Sequence, residues 1–177
     1  MKTKLTLFIA VIAIALFGMG CASIKNEPPV PAKNEPPVPH AVQWNGNWYA
    51  VFKERLSWDA AKANCENLGG HLVVIESESE NHFVLALLKN EKFLQEALKK
   101  NPINFYVSIG CYRQEGRQWN WVTGQPLKYA NWSKVSPLHS HKWGAITLTK
   151  VNGFPEVNPN DWVVLDRGEY VYVCEWE

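Results

Sequence analysis

The stretch that decides the fold is SWDAAKANCENLGGHLVVIESESENHFV, residues 57–84. It opens with Ser57, a residue type that caps helix N-termini, and an alanine-rich run then leads to Gly69 and Gly70, which are typical of a helix end. The apolar run over residues 72–75 predicts a short strand directly afterwards. A helix and a strand are therefore expected in close succession.

A second helix is predicted immediately after this strand. Ser77 and Glu80 have the capping-box spacing, in which two side chains bind backbone N–H groups at a helix start. Apolar residues then recur at helical spacing: Phe83, Val84, Leu87, Leu88, Phe93, Leu94, Ala97 and Leu98. The pattern predicts a helix that is closed by Pro102.

The rest of the chain contains short runs of β-branched and aromatic residues rather than helical patterns. These runs predict strands over residues 48–52, 105–110, 119–122, 144–148 and 170–174. The long stretch over 123–160 is rich in Pro, Gly, Asn and His and predicts loops, interrupted by the strand at 144–148. Two early helices followed by short strands and long loops indicate an α+β domain over residues 44–177.

The first 20 residues indicate a signal for export. Lys2 and Lys4 precede an uncharged, mostly apolar stretch that is shorter than the roughly 20 residues of a membrane-spanning helix. Cys21 follows at once, and the junction resembles a lipobox, although Gly18 stands where a lipobox usually has Leu. Acylation of Cys21, by palmitate among other chains, would anchor the protein in the cell envelope, at the outer membrane or cell surface. The alternative is ordinary cleavage after Ala22.

A proline-rich linker is predicted over residues 21–43. The unit Lys-Asn-Glu-Pro-Pro-Val-Pro occurs twice, at 25–31 and at 33–39. Proline at this density favours extended polyproline II, and the repeat would reach roughly 45 Å at about 3.1 Å per residue. Such a spacer would hold a domain away from a membrane; a docking motif for a partner is the alternative interpretation.

The charge balance argues against nucleic-acid binding, and the cysteine content indicates a disulfide. The chain has 18 Lys+Arg against 17 Asp+Glu, so no basic excess indicates nucleic-acid binding. Disulfides persist outside the cytoplasm. Beyond Cys21, the chain has Cys65, Cys111 and Cys174, for which one disulfide and one free thiol is the simplest arrangement.

Several segments, in this order, resemble a C-type lectin domain: residues 57–65 with 70–84, Tyr106–Gly110, Trp119–Pro126 with Tyr129–Trp132, and Tyr172–Trp176. The resemblance covers about residues 44–177. It implies a C-type-lectin-like α+β fold of two helices with short antiparallel sheets, in which the first and last strands pair and a long-loop region carries the binding surface. It also implies a disulfide between Cys65 and Cys174.

The resemblance also identifies two departures from the family. Members commonly have a second disulfide near the long loop, and the corresponding places here hold Trp143 and Val164, which we interpret as a hydrophobic pair replacing that bridge. Cys111 lies in a strand where the family often has Leu, so we expect a buried apolar thiol there. No arrangement of this cysteine with a histidine and an acid indicates catalysis.

Sugar-binding members of the family hold calcium through a Glu-Pro-Asn triplet, a following Glu and an Asn-Asp pair, because calcium takes six to eight oxygen ligands. This chain retains only Asn160-Asp161, a pair that also suits capping of a turn. Residues 133–142 contain no carboxylate at all. We therefore predict no calcium-dependent sugar site and no cofactor.

The leading hypothesis is a non-enzymatic surface module that binds a protein or a glycan through its long-loop face without calcium, since no catalytic pair or metal set is evident. The candidate ligand-binding residues are His139, His141, Lys142, Asn160, Asp161 and Trp162. One alternative is calcium-independent carbohydrate binding by stacking on Trp162. Another is a structural envelope protein that assembles with copies of itself.

Overall fold

The structure is a computed structural model that describes residues 35–113, 118–136, 142–153 and 157–177. The predicted signal, Cys21, most of the linker, His139 and His141 lie outside the described residues. Eight strands and three helices follow one another in the described chain: β1 Val42–Trp44, β2 Asn47–Leu56, α1 Trp58–Asn67, β3 His71–Leu72, α2 Glu78–Asn90, α3 Lys92–Lys100, β4 Tyr106–Arg113, β5 Trp119–Trp121, β6 Trp143–Thr147, β7 Trp162–Leu165 and β8 Tyr170–Trp176. None of the described helices is long and apolar enough to cross a membrane.

The strands form one mixed sheet in the order β1-β2-β8-β4-β6-β7, with β3 paired to β8 and β5 to β4. The early strand β2 and the last strand β8 pair antiparallel, with Ala50 opposite Cys174, which confirms the expected pairing of the chain ends. The sheet differs from the expected antiparallel arrangement because β4 and β8 run parallel. The strand β1, which was not predicted, forms a hairpin with β2 through Asn45 and Gly46, both with the positive φ that a tight two-residue turn requires.

The two predicted helix starts are confirmed. The Ser57 side chain accepts a hydrogen bond from the Ala60 N–H, and the Ser77 side chain accepts one from the Glu80 N–H. The first helix ends as expected, since Gly69 has φ of 79° and the Gly70 N–H bonds back to the carbonyl of Cys65.

The prediction of one continuous second helix is wrong in one respect, because the segment forms two helices. The chain is extended at Glu91, and α3 begins at Lys92. The apolar pattern gives no sign of this break, because Leu94 and Leu98 lie seven and eleven positions after Leu87, within about 20° of it on a continuous helix. In α3, Leu94 is fully buried.

A disulfide joins Cys65 on α1 to Cys174 on β8, with 5.5 Å between their Cα atoms. Both residues are fully buried, and the bridge spans 109 positions of sequence. It therefore ties the first helix to the central strand of the sheet, as the family resemblance implied.

Cys111 is a buried free cysteine that packs against Gly144 of the neighbouring strand. A Cβ at Gly144 would overlap the Cys111 Sγ, so the thiol fills the space that the glycine leaves open. Burial raises the pKa of the Cys111 thiol, which keeps it neutral. The expected apolar thiol is confirmed.

The expected pair of Trp143 and Val164 is wrong. Trp143 lies opposite Leu165, and Val164 lies opposite Gly144. Because side chains alternate between the two faces of a strand, Trp143 and Val164 point to opposite faces of the sheet. Trp143 stacks instead on Trp58 of α1, with 6.0 Å between the ring centroids.

Candidate ligand-binding site

Trp162 is not a stacking platform, and the expectation that it binds a ligand was wrong. Its side chain is 0 % exposed, its Nε1 donates a hydrogen bond to Asn81 Oδ1 at 2.9 Å, and the ring packs edge-on with Trp121 and Trp132. A ring in this position contributes to the core. Trp162 begins a short strand after a polar turn, and nothing in the sequence indicates that both faces of its ring are covered.

Asn160 and Asp161 form a turn that is satisfied within the protein. The Asp161 carboxylate accepts the Asn158 N–H at 2.8 Å, which is the capping role that suits an Asn-Asp pair. Asn160 has φ of 78°, donates its N–H to the Thr147 carbonyl, and accepts a bond from Asn131 Nδ2 at 3.1 Å. The pair thus fixes the end of the β6–β7 connection against Thr147 of β6.

The described members of the predicted binding face do not form one surface. Lys142 lies beside Leu165, whereas Asp161 lies beside Thr147, at the other end of the ladder between β6 and β7. Five strand residues separate these ends, a distance of roughly 16 Å along the strand. Of the described candidates, Lys142 lines a groove.

This groove, of about 570 Å³, lies beside the start of β6 and has an aromatic floor. Trp58 stacks almost parallel to Trp143, and its ring centroid lies 5.8 Å from that of Tyr112. Trp58 is buried, while Trp143 and Tyr112 are only half-buried and so present part of their rings to solvent. The floor therefore offers apolar ring surface to a ligand.

Charged side chains form the rim of the same groove: Lys142, Arg113, Lys62 and Asp59. The main chain holds two of them side by side, because the Arg113 N–H donates to the Lys142 carbonyl at 2.8 Å. The Arg113 guanidinium also lies 5.2 Å from the centroid of the Trp119 ring. We call this set of residues, floor and rim together, the Lys142 groove.

A second cavity, of about 810 Å³, lies beside β8 and is lined by a buried carboxylate for which the sequence gives no signal. Glu175 is 3 % exposed and accepts hydrogen bonds from Asn47 Nδ2 at 3.0 Å and from the Val74 N–H at 2.8 Å. Burial raises the pKa of Glu175, while the Val74 bond and the nearby His71 oppose that shift.

Glu80 is the other buried carboxylate of this cavity, and it binds the Glu76 N–H rather than the Ser77 N–H that the predicted capping box would use. Its side chain accepts hydrogen bonds from the Tyr49 hydroxyl and from the Glu76 N–H, both at 2.8 Å. Burial, followed by the charge of Glu175, raises the pKa of Tyr49, so the phenol stays a donor. All four hydrogen bonds that the two carboxylates accept come from protein groups. The two carboxylates therefore form a structural network that joins β2, α2 and β8.

The sequence model of the lectin C-type domain matches residues 54–146, which is more than half of the chain and includes both α1 and the strand that borders the Lys142 groove. The chain belongs to the C-type lectin domain family. The expected family and its α+β fold are thus confirmed.

Relatives of this C-type lectin domain occur in animals. Lithostathine-1 of Mus musculus is 25% identical over 155 residues, covering 86% of each chain. Hepatic lectin of Gallus gallus is 30% identical over 144 residues, which are 75% of this chain and 58% of the relative. The crystal structure of human lithostathine shares the fold, with a TM-score of 0.65 and 19% identity over 86% of this chain and 99% of that one.

Proposed function

We propose that this C-type lectin domain is a non-enzymatic binding module that recognises a protein or glycan ligand without calcium, and that the Lys142 groove holds the ligand. The observation that carries the proposal is the half-buried Trp143, whose ring lies in the floor of a 570 Å³ groove bordered by charged side chains. Binding sites typically combine apolar ring surface with a few polar groups in this way. Hepatic lectin, by its name a lectin, favours the glycan.

The calcium-free part of the proposal is supported by what the carboxylates do. Residues 133–142 supply no carboxylate, and Asp161 already caps the Asn158 N–H. Among the described residues, no three His, Cys, Asp or Glu side chains converge as metal ligands. Calcium needs six to eight oxygen ligands with carboxylates among them, a requirement that residues 133–142 together with the engaged Asp161 do not meet.

Export and anchoring complete the proposed function. The apolar stretch before Cys21 and the lipobox-like junction support lipidation of that cysteine. The disulfide between Cys65 and Cys174 favours an oxidising compartment. A Cys21→Ser variant is expected to leave the membrane fraction; if it stays there, Cys21 is not the anchor.

The binding test compares two tryptophans of similar exposure. Trp143→Ala removes the floor of the Lys142 groove, and Trp48→Ala is the matched control on β2 outside it. Both variants and the wild type are applied to a glycan array and to a pull-down of surface proteins, after their unfolding temperatures have been measured. We expect ligand binding to be lost in Trp143→Ala and kept in Trp48→Ala. Equal binding by both variants would place the ligand elsewhere.

A further inference from the structure

The aromatic floor of the Lys142 groove lies on one face of the ladder between β4 and β6. Tyr112 of β4 lies directly opposite Trp143 of β6, and Trp58 of α1 packs against both rings. Arg113 and Lys142 are the chain neighbours of Tyr112 and Trp143, so their side chains leave the ladder on its other face. The polar side chains that a ligand on the floor would meet are therefore those of α1 and of Tyr112.

Helix α1 places two side chains of opposite charge beside the floor. Lys62 follows Trp58 by one helical turn, and Asp59 lies three positions before Lys62, so both charges lie on the side of the helix next to the rings. The Asp59 side chain is exposed and makes no hydrogen bond or ion pair with the described residues. Lys62 pairs with Glu66, but its ammonium has three donors and so keeps donors for a ligand. The helix thus offers an acceptor and a donor whose charges cancel.

The third polar group is the hydroxyl of Tyr112. This residue is half-buried, and its hydroxyl makes no hydrogen bond within the described part of the chain, so it can both donate to a ligand and accept from one. The exposed part of the Trp143 ring lies beside it as a flat apolar surface. This face of the groove therefore combines ring surface with donors and acceptors and carries no excess of charge.

These features fit a neutral sugar ring better than a peptide. A sugar ring presents C–H groups on its face and hydroxyls at its edge, and each hydroxyl both donates and accepts hydrogen bonds. An extended peptide commonly adds a strand to a free sheet edge. Here Tyr112 is paired with β5 and β6, and Trp143 with β4 and β7, so neither offers a free edge. A ligand of either charge would be repelled by Asp59 or by Lys62.

We propose that the Lys142 groove binds a neutral saccharide, whose ring packs on Trp143 and whose hydroxyls donate to Asp59 and accept from Lys62. The Tyr112 hydroxyl binds a further hydroxyl of the same ring. This inference rests on the proposed function and adds the chemical class of the ligand and the side chains that select it.

The test begins with a glycan array on which neutral oligosaccharides of glucose, mannose, galactose and N-acetylglucosamine stand beside sialylated, sulfated and uronate-containing ones. The neutral glycans are expected to give the strongest signals. The neutral oligosaccharide with the strongest signal is then titrated by calorimetry at about 0.05 M and about 0.5 M salt. Its affinity should be the same at both concentrations, because salt screens attraction between charges and this ligand has none.

Single-residue variants test the selecting side chains. Asp59→Ala is expected to weaken binding about tenfold or more, the effect of losing one hydrogen bond to a charged group, and Tyr112→Phe about threefold. Asp59→Asn keeps an acceptor and should recover part of the loss. Glu54→Ala is the matched control, because Glu54 is an exposed carboxylate on β2 outside the groove, and it should leave affinity unchanged. Unfolding temperatures are measured first, since Asp59 lies in the first turn of α1.

Three results would overturn the inference. Stronger signals from charged glycans, with an affinity that falls as salt rises, would make charge the basis of recognition. Binding that depends on Trp143 but is unchanged in Asp59→Ala and Tyr112→Phe would keep the proposed function and remove the polar contacts. No signal from any neutral glycan would refute the neutral saccharide, and a captured surface protein that binds through Trp143 would then be the ligand. The comparison of Trp143→Ala with Trp48→Ala decides the proposed function separately.

Discussion

Removal of the Cys65–Cys174 disulfide is expected to destabilise the domain by about 5 kcal/mol. The bridge closes a loop of 109 positions. In the chain-entropy description, a loop of that length lowers the entropy of the unfolded chain by roughly 16 cal/mol/K, which is about 5 kcal/mol at 25 °C. A small domain has a total stability of only about 5–15 kcal/mol, so the loss would remove a third of it or more.

The assay is urea unfolding of a Cys65→Ala/Cys174→Ala double variant beside the oxidised wild type. Reduced wild type serves as the control, because it loses the same constraint without any change of sequence. The slope of the transition should rise, since a chain without the bridge exposes more surface on unfolding. A loss below about 1 kcal/mol with an unchanged slope would show that the disulfide does not restrict the unfolded chain, and that the pairing of β2 with β8 holds the chain ends without it.

Three further predictions concern the packing, the buried acid and calcium. Gly144→Ala is expected to destabilise the domain by about 1–3 kcal/mol, because the added methyl group overlaps Cys111 Sγ. In a double-mutant cycle, adding Cys111→Ala should recover most of that loss. Additive losses would contradict the contact. Because burial raises the pKa of Glu175, its contribution to stability is largest below the unfolded pKa, near 4.3, and is lost as pH rises through the raised value. Glu175→Gln should therefore cost more stability at pH 4 than at pH 7 in urea titrations, and a cost that grows with pH would oppose this sign. Calcium at millimolar concentration should leave the unfolding temperature unchanged, whereas a specific site at a hundred times its dissociation constant would raise it by roughly 10 °C.

Most of the fold could be predicted because its signals are local. The caps at Ser57 and Ser77 and the apolar runs of β2, β4 and β8 depend on neighbouring residues alone. The break at Glu91 leaves no signal in the apolar pattern, since Leu94 and Leu98 keep helical spacing from Leu87 across it. The parallel pairing of β4 with β8 joins distant strands and leaves no local signal.

The site was harder to predict because it depends on how the strands and helices pack against one another. Trp162 and Trp143 are both tryptophans at the start of a strand, yet the first is enclosed and the second borders a groove. That difference arises from packing against Asn81 in one case and Trp58 in the other, which are far apart in sequence. Glu175 gave no signal either, because its partners Asn47 and Val74 come from distant segments.

Calcium-free recognition at the Lys142 groove is the main proposal for this domain. The most direct measurement is a glycan array probed with the wild-type domain twice, once in calcium and once in a chelator. We expect the same bound glycans with equal signal in both conditions, and loss of that signal in Trp143→Ala. Signal that appears only with calcium and persists in Trp143→Ala would contradict it.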